Sequence, residues 1–280
     1  MKRKHFFYIL LISLLFVSCG TERKLARKFV SQSNDIAVLV VVPEFIFKFN
    51  ERSDKNTDDL KNLEQYQKDS ILVAQTLVLK DVDEAVFLSV LENACVETMK
   101  EFNVQAFTLN QLVDFEQNSA SKTWMMNISQ LEMQEFNSEE WIAQYIFGIR
   151  YDAMVDKSGI NVASWFEMIP SKIYDHNMAQ RLYSEQEIIE EIEGDFRYDE
   201  QSNEIYYSYN TDSLSVEKIY NFAAYLGHLY GGYAYDYIMN DYVKKQLPDG
   251  KTQTRFFRYN PYTKQLFATE SDRFIFLEEK

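Results

Sequence analysis

The residue types that most often carry catalysis are sparse in this chain and do not cluster. It contains two cysteines and three histidines, and beyond residue 18 the histidines are His176 and His228, far apart in sequence. Zinc sites need such ligands at short, defined spacings, and neither a His-Glu-x-x-His motif nor a calcium-loop pattern occurs. We therefore expect neither a metal ion nor a cofactor.

Nucleophilic catalysis needs a serine or cysteine held beside a base, and no Gly-x-Ser-x-Gly turn is present. Cys95 falls in an apolar stripe at helical spacing, which favours a buried, unreactive thiol. His228 lies beside Gly227 in a long helical segment, where a locally hydrogen-bonded histidine is more common than a functional one. The stretch from Gly227 to Gly232 follows no strand and lacks a closing lysine, so it is not a phosphate loop. We predict no catalytic residue.

Tyrosine is the residue type whose distribution is unusual. Ten of the 19 tyrosines lie within residues 206–242, together with Asp236 and Asp241. Tyrosine joins an apolar ring to a polar tip, which suits both sugar faces and protein interfaces. Two other interpretations stay open: a glycosidase carboxyl pair formed by the two aspartates, and a tyrosine-faced helix that packs on a tyrosine-rich strand. The candidate binding surface consists of Tyr206, Tyr207, Tyr209, Tyr233 and Asp236.

The elements that position these residues predict an α+β fold with a mixed sheet. Residues 36–42 form an apolar, β-branched run typical of a buried strand. A helix is predicted to start at Asp81, with Glu84 as its capping partner. Its apolar stripe is Leu88, Leu91, Cys95, Met99 and Phe102. A strand over residues 104–109 then completes a strand–helix–strand unit, which implies a right-handed crossover and parallel pairing.

The second half of the sequence predicts an antiparallel hairpin and a long helix rich in tyrosine. The alternation of residues 124–136 changes phase, and a bulge near Ser129 reconciles its halves. Residues 145–151 alternate as a half-buried strand, and a turn at residues 156–159 leads into the returning strand. The helix runs from about Ser215 towards Leu247, and small residues at every fourth position indicate close packing on a sheet. A strand at residues 204–209 precedes this helix, and a hairpin around Asn260 ends the chain.

Composition and charge limit the function classes. Apolar residues make up 46% of the chain and aromatic residues 15%, as expected for a folding domain. The formal net charge is −14. Because such a surface repels phosphate backbones, nucleic acid is an unsuitable partner.

The first residues have the pattern of an export signal. A basic start is followed by an apolar run over residues 6–17, whose helical length of about 18 Å is too short for a hydrocarbon core of about 30 Å. The sequence from Phe16 to Gly20 resembles the lipobox of bacterial lipoproteins, although Phe16 stands where leucine is usual. The resemblance implies a signal peptide over residues 1–18, cleavage before Cys19 and lipid attachment to Cys19. An uncleaved short membrane anchor is the alternative.

The residues after Cys19 bear on localisation. No aspartate follows the cysteine, and Glu22 precedes four basic residues instead of an acidic run. Compared with known lipoprotein sorting marks, this pattern favours the periplasmic side of the outer membrane. We expect residues 19–34 to be a lipidated tether, either free or lying against anionic headgroups, and residues 35–280 to form one globular domain.

Three stretches of the chain resemble an uncharacterised family of lipoproteins from Bacteroidota. They carry the run from Pro43 to Lys48, the Leu79-Lys-Asp start of the first long helix, and the segment from Asp236 to Asn240. The order of elements is also similar to the periplasmic α/β domains of TolB, LpoB and CsgG. The first resemblance implies no known activity, and the second concerns topology alone.

These observations favour a lipid-anchored, non-catalytic binding or accessory module of the cell envelope. Its expected partners are the membrane, through the lipid, and envelope proteins or glycan. The alternative is a periplasmic hydrolase that acts on glycan or peptidoglycan with paired carboxylates. A cavity holding two carboxyl groups, one with a raised pKa, would favour the hydrolase.

Overall fold

A mixed β-sheet of seven strands forms the centre of the molecule. The computed structural model describes residues 20–52, 60 and 63–277, so the predicted signal peptide and Cys19 lie outside the described residues. The strands are β1 (Ile36–Val41), β2 (Phe47–Asn50), β3 (Gln105–Thr108), β4 (Lys122–Ile146), β5 (Ile149–Ile169), β6 (Gln180–Ile189), β7 (Glu191–Asp199), β8 (Glu204–Asp212), β9 (Phe256–Asn260), β10 (Gln265–Thr269) and β11 (Ile275–Phe276). The helices are α1 (residues 20–30), α2 (Gln65–Val73), α3 (Glu84–Glu101), α4 (Leu112–Gln117) and α5 (Val216–Gln246).

The sheet has the order β11-β6-β5-β4-β1-β3, and β2 pairs with β4 as well. Strand β1 runs parallel to both β3 and β4, whereas β4, β5 and β6 are antiparallel. The predicted α+β class, the parallel strand–helix–strand unit and the long tyrosine-rich helix are confirmed. The register between β4 and β5 shifts between Ile128 and Gln130, which confirms the predicted bulge. Two further hairpins, β7–β8 and β9–β10, lie outside the central sheet.

Two apolar layers cover the sheet. Residues of α1, α3 and α5 share the main core with alternate residues of β1, namely Ile36, Val38 and Val40. On the opposite face, Phe115 of α4 packs with Ala37 and Leu39. Strand β1 is therefore buried on both faces, which explains its uninterrupted apolar sequence.

The N-terminal cap of α3 differs from the prediction by two residues. Asp83 caps the helix and accepts a hydrogen bond from the backbone N–H of Val86 (3.2 Å), whereas Asp81 lies in a preceding 3-10 turn. The predicted apolar stripe of α3 is buried throughout.

Helix α5 packs closely on helix α3 at its glycines. A Cβ added to Gly227 would lie 2.3 Å from the carbonyl oxygen of Leu91, and one added to Gly231 would lie 2.8 Å from that of Cys95. The small residues of α5 thus bring two helices together, and the predicted contact with a sheet is wrong at these positions.

The predicted tether after Cys19 is wrong for the residues that the structure describes. Residues 20–30 form α1, and Ala26 and Phe29 on its inner face are fully buried. Glu22 accepts a hydrogen bond from the backbone N–H of Thr254 (2.8 Å), and Arg23 donates to the carbonyl of Leu266 (2.8 Å). This segment is therefore part of the folded body, because its apolar residues are buried in the main core.

The hairpin turn is at residues 147–148, about ten residues before its predicted position at 156–159. Phe147 and Gly148 connect β4 to β5, and Asp156 pairs with Glu139 inside the ladder. Gly159 is a strand residue that faces Phe136, whose ring would lie within 2.4 Å of an added Cβ. Glycine at this position leaves space for the Phe136 ring on the neighbouring strand and does not form a turn. None of the described helices is long and apolar enough to span a bilayer.

Candidate functional site

The five residues predicted as a binding surface lie in two separate places. Tyr206, Tyr207 and Tyr209 are on β8, whereas Tyr233 and Asp236 are on α5. Among the described residues, no hydrogen bond or ring contact joins the two groups. Tyr206 and Tyr209 are exposed, and Tyr207 packs against Phe196 of β7 with ring centroids 5.1 Å apart. The predicted single tyrosine surface is therefore not formed.

Asp236 is buried and belongs to an internal ion pair. Its carboxylate accepts a hydrogen bond from the backbone N–H of Tyr259 (3.0 Å) and lies 3.3 Å from Nε of Arg273. The Arg273 guanidinium also covers the ring of Tyr233 at 5.0 Å. Burial raises the pKa of Asp236 to about 7, although the charge of Arg273 acts in the opposite direction. The prediction that Asp236 lies on the surface is therefore wrong.

The proposed carboxyl pair of Asp236 and Asp241 is also not formed. Residues five apart on a helix are separated by about 7.5 Å along the axis and about 140° around it. Asp236 points towards Tyr259, whereas Asp241 forms an ion pair with Lys245 (2.8 Å). A substrate between these two carboxyl groups is therefore excluded.

The body has several surface cavities, with volumes of about 370 to 740 Å³. One of them, with a volume of about 530 Å³, is lined by two carboxyl groups. Asp241 and Asp272 line it together with Tyr237, Phe256 and Phe276. Burial raises the pKa of Asp272, which accepts a hydrogen bond from the backbone N–H of Arg273 (2.6 Å). This cavity has the composition expected of the hydrolase alternative, but with Asp272 in place of Asp236.

The remaining candidates from the sequence are engaged locally. Cys95 is fully buried, with its Sγ 3.9 Å from Sδ of Met126, and burial raises its pKa to about 12. Nδ1 of His228 is hydrogen-bonded to the hydroxyl of Thr98 (2.7 Å). His176 lies 3.5 Å from the carboxylate of Glu167. In the described part of the chain, no three side chains of His, Cys, Asp or Glu form a metal-binding group.

A projecting hairpin is the feature that sequence reasoning missed. Strand β2 pairs with β4 as far as Glu135, and β6 pairs with β5 only up to Gly159. Beyond these limits, residues 138–157 pair only with one another among the described strands. Nine residue pairs at the rise of a β-strand give an extension of about 30 Å. We call this segment, residues 138–157, the arm.

The arm has one covered and one bare face. On the covered face, Tyr151 contacts Phe196 of the β7–β8 hairpin (5.9 Å between ring centroids), and Val155 is buried. The bare face carries Trp141, Met154 and Tyr145, which are 69%, 51% and 71% exposed. Trp141 and Met154 are directly opposite each other in the ladder. Exposed aromatic and methionine side chains in one row form the type of patch that marks interaction sites.

The tip of the arm places a phenylalanine in an unfavourable backbone conformation. Phe147 is fully exposed and has a φ of 50°, and Gly148 follows with a φ of 83°. Two-residue turns with positive φ at both positions favour Asn-Gly or Asp-Gly, because bulky side chains are strained there. The Phe-Gly pair between two alternating runs was the signal in the sequence. A strained, exposed aromatic residue at a hairpin tip indicates a role outside the folded body.

No protein-family model and no curated protein matches this chain. The resemblance to lipoproteins of Bacteroidota accordingly stays a prediction. The arm, the two-carboxyl cavity and the ion pair of Asp236 are thus interpreted from their own geometry.

Proposed function

We propose that this protein is a lipid-anchored, non-catalytic binding module that contacts another envelope protein through the arm. The anchor is Cys19, and the module faces the periplasm from the outer membrane. The observation that carries the proposal is the fully exposed Phe147, held at positive φ at the end of a hairpin with a bare aromatic face.

The chemistry of the arm favours a protein partner. Trp141, Tyr145 and Met154 are of the residue types enriched in protein interfaces, and large anchors in pockets supply most of the binding energy. The charged residues Glu139 and Asp152 lie on the same face of the ladder as Trp141 and give the patch a polar rim. A partner with an apolar groove of the width of a hairpin complements this surface.

The position of α1 relates the anchor to the arm. The described part of helix α1 begins at residue 20 and is tied to the body through Glu22 and Arg23. If Cys19 carries lipid, the folded body follows the anchor without a free linker. The module then stays close to the membrane, and the arm supplies the reach of about 30 Å towards a partner.

Site-directed photo-crosslinking tests this function. A benzophenone side chain replaces Phe147 in the full-length protein expressed in its native envelope, and the crosslinked products are separated by mass. The matched control carries the same group at Tyr66, which is 72% exposed on α2. A discrete protein adduct from position 147 alone is expected. Equal adducts from both positions, or lipid adducts at position 147, would contradict a protein-binding arm.

A glycan-acting hydrolase is the second candidate, favoured by the cavity that Asp241 and Asp272 share. A glycosidase needs one protonated and one ionised carboxyl group, and burial raises the pKa of Asp272 in the required direction. Release of soluble fragments from peptidoglycan by the purified protein, abolished in both D241N and D272N, would support it. If no fragments are released, or if release persists in both variants, this candidate is wrong.

A further inference from the structure

A cavity of about 640 Å³ lies between the end of α3, the middle of α5 and the β9–β10 hairpin. Its volume is within the range of small-molecule pockets, about 300 to 1,000 Å³. Aromatic side chains form much of its wall, namely Phe102, Tyr225, Tyr259, Tyr262 and Phe267. A ligand of one or two rings suits a space of this size and lining.

Two arginines line the same cavity, and they differ in their partners. Arg273 is held by the carboxylate of Asp236 at 3.3 Å. For Arg258, none of the described residues accepts a hydrogen bond from the guanidinium or lies within ion-pair distance. Among the described residues, Nε of Arg258 is buried without a hydrogen-bond acceptor, whereas Nε of Arg273 faces the carboxylate of Asp236. Unsatisfied buried donors are rare in native proteins, and a bound water or ion is a common explanation.

The acidic groups around the cavity are engaged elsewhere. Glu101 accepts a hydrogen bond from the hydroxyl of Tyr262 (2.6 Å), and Asp272 accepts one from the backbone N–H of Arg273 (2.6 Å). Asp236 and Asp272 lie within electrostatic range of Arg258, but among the described residues neither is within hydrogen-bond or ion-pair distance of its guanidinium, and each is held by another group. Arg258 therefore keeps its permanent charge next to an aromatic cavity without a matching acceptor.

We propose that this cavity binds a sugar ring that carries a carboxylate, with the carboxylate on Arg258 and the ring against the tyrosines. The planar guanidinium donates two parallel hydrogen bonds to a carboxylate, a geometry that a neutral sugar lacks. Tyr259 and Tyr262 present both an apolar face and a hydroxyl group to such a ring. This site is separate from the arm, so it does not depend on the function proposed above.

Isothermal titration calorimetry with galacturonic acid, galactose and inorganic phosphate tests the site. We expect galacturonic acid to bind and galactose to bind at least about ten times more weakly, because charge-assisted hydrogen bonds are the strong ones. R258Q is expected to weaken binding of galacturonic acid about 10- to 100-fold. R197Q removes the same charge from an exposed position on β7 and is expected to bind like the wild type.

Circular dichroism establishes that each variant is folded. If R258Q does not fold, R258K takes its place, since it keeps the charge but loses the two parallel hydrogen bonds, and weaker binding is again expected. Equal affinity for galactose and galacturonic acid would overturn the proposal, as would unchanged binding in the Arg258 variant. Binding of phosphate as tight as that of galacturonic acid would mean a simple anion site. No binding of any of the three probes would mean that water alone occupies the cavity, and the proposal would fail.

Discussion

The carboxylate of Asp236 on α5 lies 3.3 Å from Nε of Arg273, which precedes β11, and this buried ion pair joins the long helix to the C-terminal segment. Arg273 in turn lies over the ring of Tyr233 and near Gly232. Arg273 also lines the 640 Å³ cavity, and the adjacent Asp272 lines the 530 Å³ cavity, so this part of the C-terminal segment contributes to both.

The stability of the protein is predicted to depend on pH through Asp236. Burial raises its pKa from 3.8 to about 7, so between these values the folded state holds a proton that the unfolded chain releases. The free energy of unfolding should consequently fall as the pH rises through this window, by up to about 4 kcal/mol from this group. Urea unfolding of the wild type and D236N at several pH values checks this. D236N should lose this part of the slope, and identical slopes would contradict the assignment.

Gly227 is predicted to be essential for the contact between α3 and α5. In G227A the new methyl group would lie 2.3 Å from the backbone carbonyl of Leu91, which cannot move without displacing α3. We expect a loss of about 1–3 kcal/mol in the free energy of unfolding. The control is G232A on the same helix, where the nearest atom is the end of the Arg273 side chain at 3.6 Å. That variant should be neutral or slightly stabilised, because alanine favours helix over glycine by about 1 kcal/mol. Equal effects at both positions would contradict the close packing.

Phe147 at the tip of the arm is predicted to lower the free energy of unfolding and to be present for binding. Replacing Phe147 with asparagine, which tolerates positive φ, should raise the free energy of unfolding by about 1 kcal/mol. Y145N is the matched control, since Tyr145 is also an exposed aromatic residue but lies in a regular strand. It should give no stabilisation. Chemical unfolding of the two variants measures the difference, and a destabilised F147N would show that Phe147 supports the fold.

Cys95 is predicted to be a structural residue. C95S places a hydroxyl group in an apolar core next to Met126 and should cost about 1–3 kcal/mol of stability. The native thiol should resist alkylation, since it is fully buried and its pKa is raised to about 12. Mass analysis after iodoacetamide treatment, with and without denaturant, tests both statements. Rapid labelling of the native protein would contradict them.

Local sequence patterns correctly predict the elements that depend only on residues close together in the sequence. The apolar run of β1, the buried stripe of α3 and the span of α5 required only periodicity and caps. The bulge near Ser129 required only a change of phase. All of these are present in the structure.

The features that were not predicted depend on distant parts of the chain. The sequence predicts a turn at Gly159, because it does not show that this residue faces Phe136 across the hairpin. The sequence predicts Asp236 on the surface, since Arg273 and Tyr259 are brought close to it only by the fold. The same applies to α1, whose buried Phe29 packs against Tyr235 and Tyr242 of α5. Such tertiary contacts override local signals.

The proposal that the arm binds another envelope protein is tested most directly by asking whether arm variants lose a specific partner. The full-length protein is purified from its native envelope after mild crosslinking, and co-purifying proteins are quantified for the wild type, W141S/F147N and Y66S. Tyr66 is an exposed residue of α2 and serves as the control. We expect one protein to be retained by the wild type and Y66S and to be lost from W141S/F147N, while that variant stays folded. An unchanged set of partners in all three would contradict it.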